Sequence, residues 1–208
     1  MSTRLPMFPL GLVMVPHLVV PLHIFEPRYR VLMFDCTHGD GQAEFGVVLI
    51  ERGSEVGGND QRFGVGTVAR IVDAAELPDG RWLLNAVGTR RIRVHEWLPA
   101  DPYPVALVED LPDQPWSTDA EAARPEAERQ VRGALALSAE LGDPVVPATI
   151  ELDPDPKVAS WQLVAIAPIG PFDQQRLLEI DDHGTRLSML ASLAEECAGV
   201  LAHRLADE

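Results

Sequence analysis

PLHIFEPRYRVLMFDC, Pro21 to Cys36, changes its hydrophobic period partway along, and that change decides how the chain folds. Pro21 to Phe25 has the composition of a β-strand. Pro27 suits the first position of a helix, where its missing N–H costs nothing, and Glu26 before it can meet the exposed amides of the first turn. Tyr29, Leu32, Met33 and Cys36 then recur at helical spacing. A strand running directly into a short helix is expected here.

Outward from this stretch, the N-terminal half reads mostly as strands. Glu44–Glu51, Val65–Leu77, Arg81–Gly88, Arg90–Leu98 and Tyr103–Leu111 are rich in β-branched and aromatic residues. Pro78-Asp79-Gly80 is a hairpin signal between two of them, and Ala100-Asp101-Pro102 is another break. After Leu111 a polar, acidic linker leads into helical patterning. Thr118 and Glu121 have capping-box spacing for a helix running toward Glu140, with Pro125 placed to disturb its start. A Pro-rich break from Asp143 to Pro156 precedes two shorter helices, in KVASWQLVAIAPI and DQQRLLEI. A last helix from about Gly184 carries Leu187, Leu190, Leu193, Ala194, Cys197 and Leu201 on one face. The expected class is α+β, a β-rich domain over 1–115 followed by a helical domain over 116–208.

The 208 residues suffice for a sizeable core, with roughly 70% of the unfolded chain's surface buried on folding. Cys36 and Cys197 are far apart and belong to no C-x-x-C pattern, so reduced thiols in a cytoplasmic protein are expected. Prolines 6, 9, 16 and 21 interrupt the apolar N-terminus, which argues against a signal peptide or a membrane span. The net charge is −15 and Lys157 is the sole lysine. Such a field repels polyphosphate backbones and disfavours nucleic acid as a partner.

Catalytic patterns are sparse. A serine–lysine dyad has only Lys157 and Ser160 to draw on, and the acidic neighbours of Lys157 hold it protonated. No Gly-Lys pair exists for a phosphate loop, and there is no G-x-S-x-G elbow. GVGTVA, Gly64–Ala69, matches a relaxed dinucleotide fingerprint but continues as strand where that fingerprint needs a helix. His17, His23, Cys36 and His38 could meet in a metal site only through the fold, and separate surface or packing roles are expected instead. Arg91, Arg93 and His95 alternate onto one strand face as a small basic stripe. No cofactor, no metal and no catalytic residue is expected.

Several segments together carry a resemblance: LPMFPLGLVMVPHLVVPLHIFEPRYRVLM (Leu5–Met33), FGVVLI (Phe45–Ile50), VGTVARI (Val65–Ile71), LPDGRWLLNAVGTRRIRV (Leu77–Val94) and DPYPVALVEDL (Asp101–Leu111). They resemble the N-terminal substrate-binding domain of Lon proteases, a domain type also similar to the Lon-like region of cereblon. IAPIGPFDQQRLLEIDDHGTRLSML (Ile166–Leu190) resembles the helical bundle that follows it in the same family. The resemblance implies a PUA-like pseudo-barrel with one short helix, then an α-helical bundle. Full Lon proteases append ATPase and peptidase domains. The chain reads as a free-standing recognition domain without them, and no peptidase activity is expected.

Within HIFEPRYR, Phe25 and Tyr29 are expected to supply core area, and Glu26, Arg28 and Arg30 to tie the helix to neighbouring strands. The alternative is a recognition surface around Phe25, Arg28 and Tyr29. The expected function is non-catalytic recognition of unfolded or exposed protein segments, as adaptor or holdase. Phe8, Val15, Phe25, Arg28, Tyr29, Trp82 and Trp97 are the candidate peptide-binding residues. Segments would dock by strand addition at a sheet edge or by apolar anchors in a groove between the two halves. A protease or chaperone is a further partner class, and a homodimer through the helical half is compatible with the pattern. A small-molecule or RNA-binding regulator, resting on the Arg91, Arg93 and His95 stripe, is the alternative function.

Overall fold

A computed structural model describes residues 2–39, 42–52 and 61–207. The chain divides into two compact units, Met1–Pro112 and Asp113–Glu208. Among the described residues the elements are six strands followed by helices, with one helix inserted early, an α+β arrangement.

The first unit contains β1 (Thr3–Leu10), β2 (Val19–Ile24), α1 (Pro27–His38), β3 (Glu44–Arg52), β4 (Gln61–Glu76), β5 (Trp82–Leu98) and β6 (Val105–Asp110). The sheet order is β2-β5-β4-β3-β1-β6, and an additional β5–β6 pairing closes it into a barrel. Among the described residues only β1 and β3 pair in parallel, and the chain between them includes α1, as a parallel crossover requires. β5 makes the closure. Its first half pairs with β2 and β4, and its second half with β4 and β6.

Sequence reading splits β5 at Gly88, whereas the structure shows one strand. Val68 faces Arg90 and Ala69 faces Gly88, so Thr89 is the extra residue of a β-bulge, and its hydroxyl donates to the Val68 carbonyl at 3.1 Å. Gly88 is needed because the loop before β2 crosses it closely. A Cβ there would run into the Val15 carbonyl oxygen. At Pro78–Gly80 the expected turn forms, with Gly80 at φ 78°, the left-handed region.

Two apolar clusters fill this unit. One lies inside the barrel around Met7, Val48, Val68, Ile92 and Ala106. The other joins α1 to the sheet through Phe8, Tyr29, Leu32, Met33, Phe45 and Trp82. Tyr29, Leu32 and Met33 are the buried face of α1, matching their helical spacing.

The second unit contains α2 (Thr118–Glu140), α3 (Pro156–Ile166), α4 (Pro171–Leu178) and α5 (His183–Ala206). α2 and α5 run side by side in the same direction: Gly184 approaches the Ala120 amide at their starts, and Arg204 in the last turn of α5 pairs with Asp143 just past the end of α2. The buried face of α2 is built from small residues including Ala120, Ala127, Val131 and Ala134, against which α5 lays Leu187, Leu190 and Ala194. The cap of α2 is Ser117, whose side chain accepts from the Ala120 amide at 3.1 Å, one residue before the expected Thr118. Glu121 instead accepts from the Trp116 indole. α2 continues through Pro125, with Ala120 and Ala127 buried on either side of it, so tertiary burial outweighs the backbone bond that proline removes.

Candidate functional site

Phe25 ends the strand-to-helix entry and is 53% exposed, contrary to the expectation of a core role. Strand alternation supplies the reason: Ile24 is buried, so the next side chain faces away from the core. Tyr29, one turn into α1, is buried against Phe8 with ring centroids 4.4 Å apart. The Arg28 guanidinium lies 4.5 Å over the Tyr29 ring and pairs with Glu26 at 3.1 Å. Glu26 therefore caps no amide through its side chain and binds its own neighbour in place of a strand.

Other contacts fasten α1. The Tyr103 hydroxyl donates to Asp35 at 2.7 Å, and the Cys36 thiol reaches the Glu44 carbonyl. Burial, then the hydrogen bond to Asp35, pushes the Tyr103 phenol up to about 12. Burial, with the Asp35 charge behind it, pushes the Cys36 thiol up to about 11, which leaves it protonated and unreactive at neutral pH. Arg30 passes over the turn at Gly80 and, among the described residues, has no ion pair or side-chain hydrogen bond.

Among the described residues, the exposed large hydrophobics of this unit are Leu12, Val19, Phe25, Val31, Phe34, Val72 and Leu83, of which Val31 and Phe34 lie on α1. A pocket of about 180 Å³ is lined by Phe8, Leu10, Leu12, Phe25 and Tyr29 among others. A second, of about 400 Å³, lies between α1 and the β4–β5 turn, lined by Pro27, Arg30, Val31, Phe34, Glu76 and Trp82, with Gly80. A third, of about 500 Å³, follows β2 and the start of β5 past His23, Asp73 and Leu83.

Of the candidate residues, Phe8, Phe25 and Tyr29 meet at one pocket, Arg28 covers Tyr29, and Trp82 lines the pocket beside them. Phe8, Tyr29 and Trp82 are largely buried, so their contribution is to build the floor, and Val15 is buried elsewhere. Val15 lies against Gly88, and Trp97 stacks with Arg62 at 4.3 Å; neither lines these pockets. Leu12, Val31, Phe34 and Leu83 were missed. Val31 and Phe34 fall outside the Tyr29, Leu32, Met33 and Cys36 face, and large apolar residues off the core face of a short helix were the available signal.

β2 forms the free edge of this region. Gly88 N donates to Leu18 O, so alternation along the ladder turns the backbone groups of Val19, Pro21 and His23 outward. Pro21 offers no N–H there, which blunts the edge against strand addition.

The remaining candidates separate. Arg91 is buried and reaches the Pro112 carbonyl, and His95 lies 3.0 Å from Glu109, so the basic stripe does not form one solvated face. A bulge between Val94 and Glu96 helps break the alternation. Ser160 is buried and donates to the Lys157 backbone carbonyl, while the Lys157 side chain is exposed, so no dyad geometry exists between them. Gly64–Ala69 lies within β4. Among the described residues no three His, Cys, Asp or Glu side chains gather in a metal-binding group, and no helix is long and apolar enough to cross a membrane.

Known proteins share this arrangement. The chain is 27% identical over 211 residues to Lon protease 2 of Herpetosiphon aurantiacus, covering 96% of this chain and 24% of that protein. It is 27% identical over 199 residues to Lon protease of Trichlorobacter lovleyi, covering 91% of this chain and 23% of that protein. The chain thus spans about a quarter of the length of these relatives. The crystal structure of a Lon N-terminal domain protein from Xanthomonas campestris superposes with a TM-score of 0.63 at 27% identity, covering 91% of this chain and 98% of that one. The N-terminal domain of Mycobacterium avium complex Lon protease shares the fold at a TM-score of 0.69 and 15% identity, covering 93% of this chain and 99% of that one. Residues 4–196 match the ATP-dependent protease La (LON) substrate-binding domain, and the chain belongs to that family.

Proposed function

We propose that the protein binds unfolded or exposed segments of other proteins on the face formed by β2, α1 and the β4–β5 turn, acting as an adaptor or holdase. The observation that carries this is that Val31 and Phe34 are exposed beside one pocket, with Phe25 exposed beside a second and Leu83 beside a third. Large apolar residues concentrated on one face, with polar groups at their rim, mark a binding surface. Family membership supports the same reading, since the matched region is a substrate-binding domain.

Side-chain anchoring is favoured over strand addition because Pro21 interrupts the outward-facing donors of β2. A bound segment would place apolar side chains in the pockets and remain otherwise extended. Asp73 and Glu76 each line one of the pockets and favour clients carrying basic residues near the apolar ones.

The test is fluorescence anisotropy with a labelled, reduced and carboxymethylated globular protein as unfolded client. Binding is expected, weakened roughly tenfold or more in the Phe25→Ser/Phe34→Ser double variant, the effect of losing about 1.4 kcal/mol of anchor contact. Absence of binding by the wild-type chain, or unchanged affinity in a folded double variant, would overturn this assignment.

A further inference from the structure

Arg30 occupies an unusual setting. Its guanidinium lies over Gly80, where a Cβ would collide with it, and it enters the 400 Å³ pocket between the apolar walls of Val31, Phe34 and Trp82. The neighbouring Arg28 pairs with Glu26, whereas no ion pair or side-chain hydrogen bond joins Arg30 to any of the described residues. Glu76 lines the same pocket and, among the described residues, makes no ion pair with Arg30. A half-buried guanidinium held by packing presents up to five N–H donors in a planar fork that matches a carboxylate.

We infer that this pocket receives the carboxyl terminus of a polypeptide ending in an apolar residue. This rests on the polypeptide-binding reading above and specifies which part of the client is recognised. The α-carboxylate binds the Arg30 fork, the last side chain packs on Val31, Phe34 and Trp82, and Glu76 is placed to accept a backbone N–H. A C-terminal apolar residue carries an anion and an apolar group on one carbon, which is what adjacent cationic and apolar walls select. An internal Asp or Glu carries its charge on a polar stem. A fatty acid has both a carboxylate and an apolar tail but offers Glu76 no donor. The net charge of −15 repels acidic segments, so the preferred terminus has neutral or basic residues before its last position.

The test uses two N-terminally labelled decapeptides of identical sequence, neutral and basic in composition and ending in Leu-Phe, one a free acid and one an amide. Anisotropy is measured with the full chain, its Arg30→Gln variant and its Arg30→Lys variant, each checked by circular dichroism. The free acid is expected to bind at least tenfold tighter than the amide. Arg30→Gln removes the difference and Arg30→Lys restores part of it. Equal affinity for acid and amide, or discrimination that survives in Arg30→Gln, overturns the inference while leaving general polypeptide binding intact. Binding of the unfolded client without binding of either peptide does the same. Failure of both peptides and of the unfolded client overturns both. Octanoate displacing the free-acid peptide as well as an unlabelled copy does would reassign the pocket to simple carboxylates.

Discussion

The two units differ at their most unusual side chains: the β unit sets exposed apolar groups beside pockets, and the helical unit buries an ion pair. Phe25 and Phe34 are each about half exposed, while Arg186, on α5, is fully buried. The Arg186 guanidinium pairs with Asp113 at 2.5 Å, lies 3.6 Å over the Trp161 ring, and donates to the Ile180 carbonyl at 2.6 Å. Asp113 also accepts from the Trp161 indole at 3.0 Å. His183 lies beside this group, its Nδ1 3.2 Å from Arg186 and 3.4 Å from Ser160 Oγ, and its Nε2 has no hydrogen-bond partner. The contrast separates two reasons for placing a side chain against local preference. Exposed apolar groups contribute little to folding and are available for binding. A buried ion pair gains little net stability over apolar packing, but losing one partner is costly.

Breaking the charged core gives the largest expected effect. Arg186→Ala leaves Asp113 without its cation and is expected to destabilise the helical unit by about 3–5 kcal/mol, read from urea unfolding. Arg186→Met combined with Asp113→Leu should recover much of that loss. If the single variant costs no more than an ordinary surface substitution, the pair does not organise this unit.

Glycines sharpen the comparison next. Gly88→Ala forces a Cβ into the Val15 carbonyl and should cost the β unit about 1–3 kcal/mol through overpacking. Gly133, exposed within α2, has nothing near its missing Cβ. Gly133→Ala should stabilise the helical unit by about 0.5–1 kcal/mol on helix propensity and unfolded-state entropy. Equal responses at the two sites would remove the distinction between close backbone approach and an open helix surface.

Acid acts on the helical unit through His183. Burial, then the positive Arg186, lowers its pKa from the ordinary 6.5, with Lys157 acting in the same direction and Asp113 and Asp182 opposing. The unfolded chain therefore binds a proton that the folded chain resists. This contribution to stability is full above about 6.5 and is lost as pH falls from there toward the lowered folded value. His183→Gln should flatten that part of the pH profile, as measured by hydrogen exchange in α5. An unchanged slope would assign the acid response to other groups.

The smallest stability effect is expected from the exposed anchors. Phe34→Ser should change unfolding free energy by no more than about 0.5 kcal/mol while weakening client binding. A large loss of stability would move Phe34 from the binding face into the structural account.

Much of the fold is legible in local patterns. The Pro27 start, the Tyr29, Leu32 and Met33 face, the Gly80 turn and the leucines of α5 follow from dihedral preferences and hydrophobic periodicity, which neighbouring residues alone can express. Resemblance across the whole chain pointed to the family that residues 4–196 match. The candidate site was legible only in part. Phe25 and Tyr29 were singled out together, yet one is exposed and the other 2% exposed, because alternation at a strand end separates residues that composition groups.

By itself, the sequence determined where strands give way to helices, which face of α1 and of α5 is apolar, and that the chain is strongly acidic. Tertiary structure alone decided that β5 is one bulged strand closing a barrel, that Arg91 is buried, and that Val31 and Phe34 line a pocket with Arg30. It also decided that Arg186 finds Asp113, 73 residues away. Backbone preference acts over a few residues. A buried charge or an exposed apolar side chain is defined by partners brought from distant parts of the chain, and those partners exist only once the chain has folded.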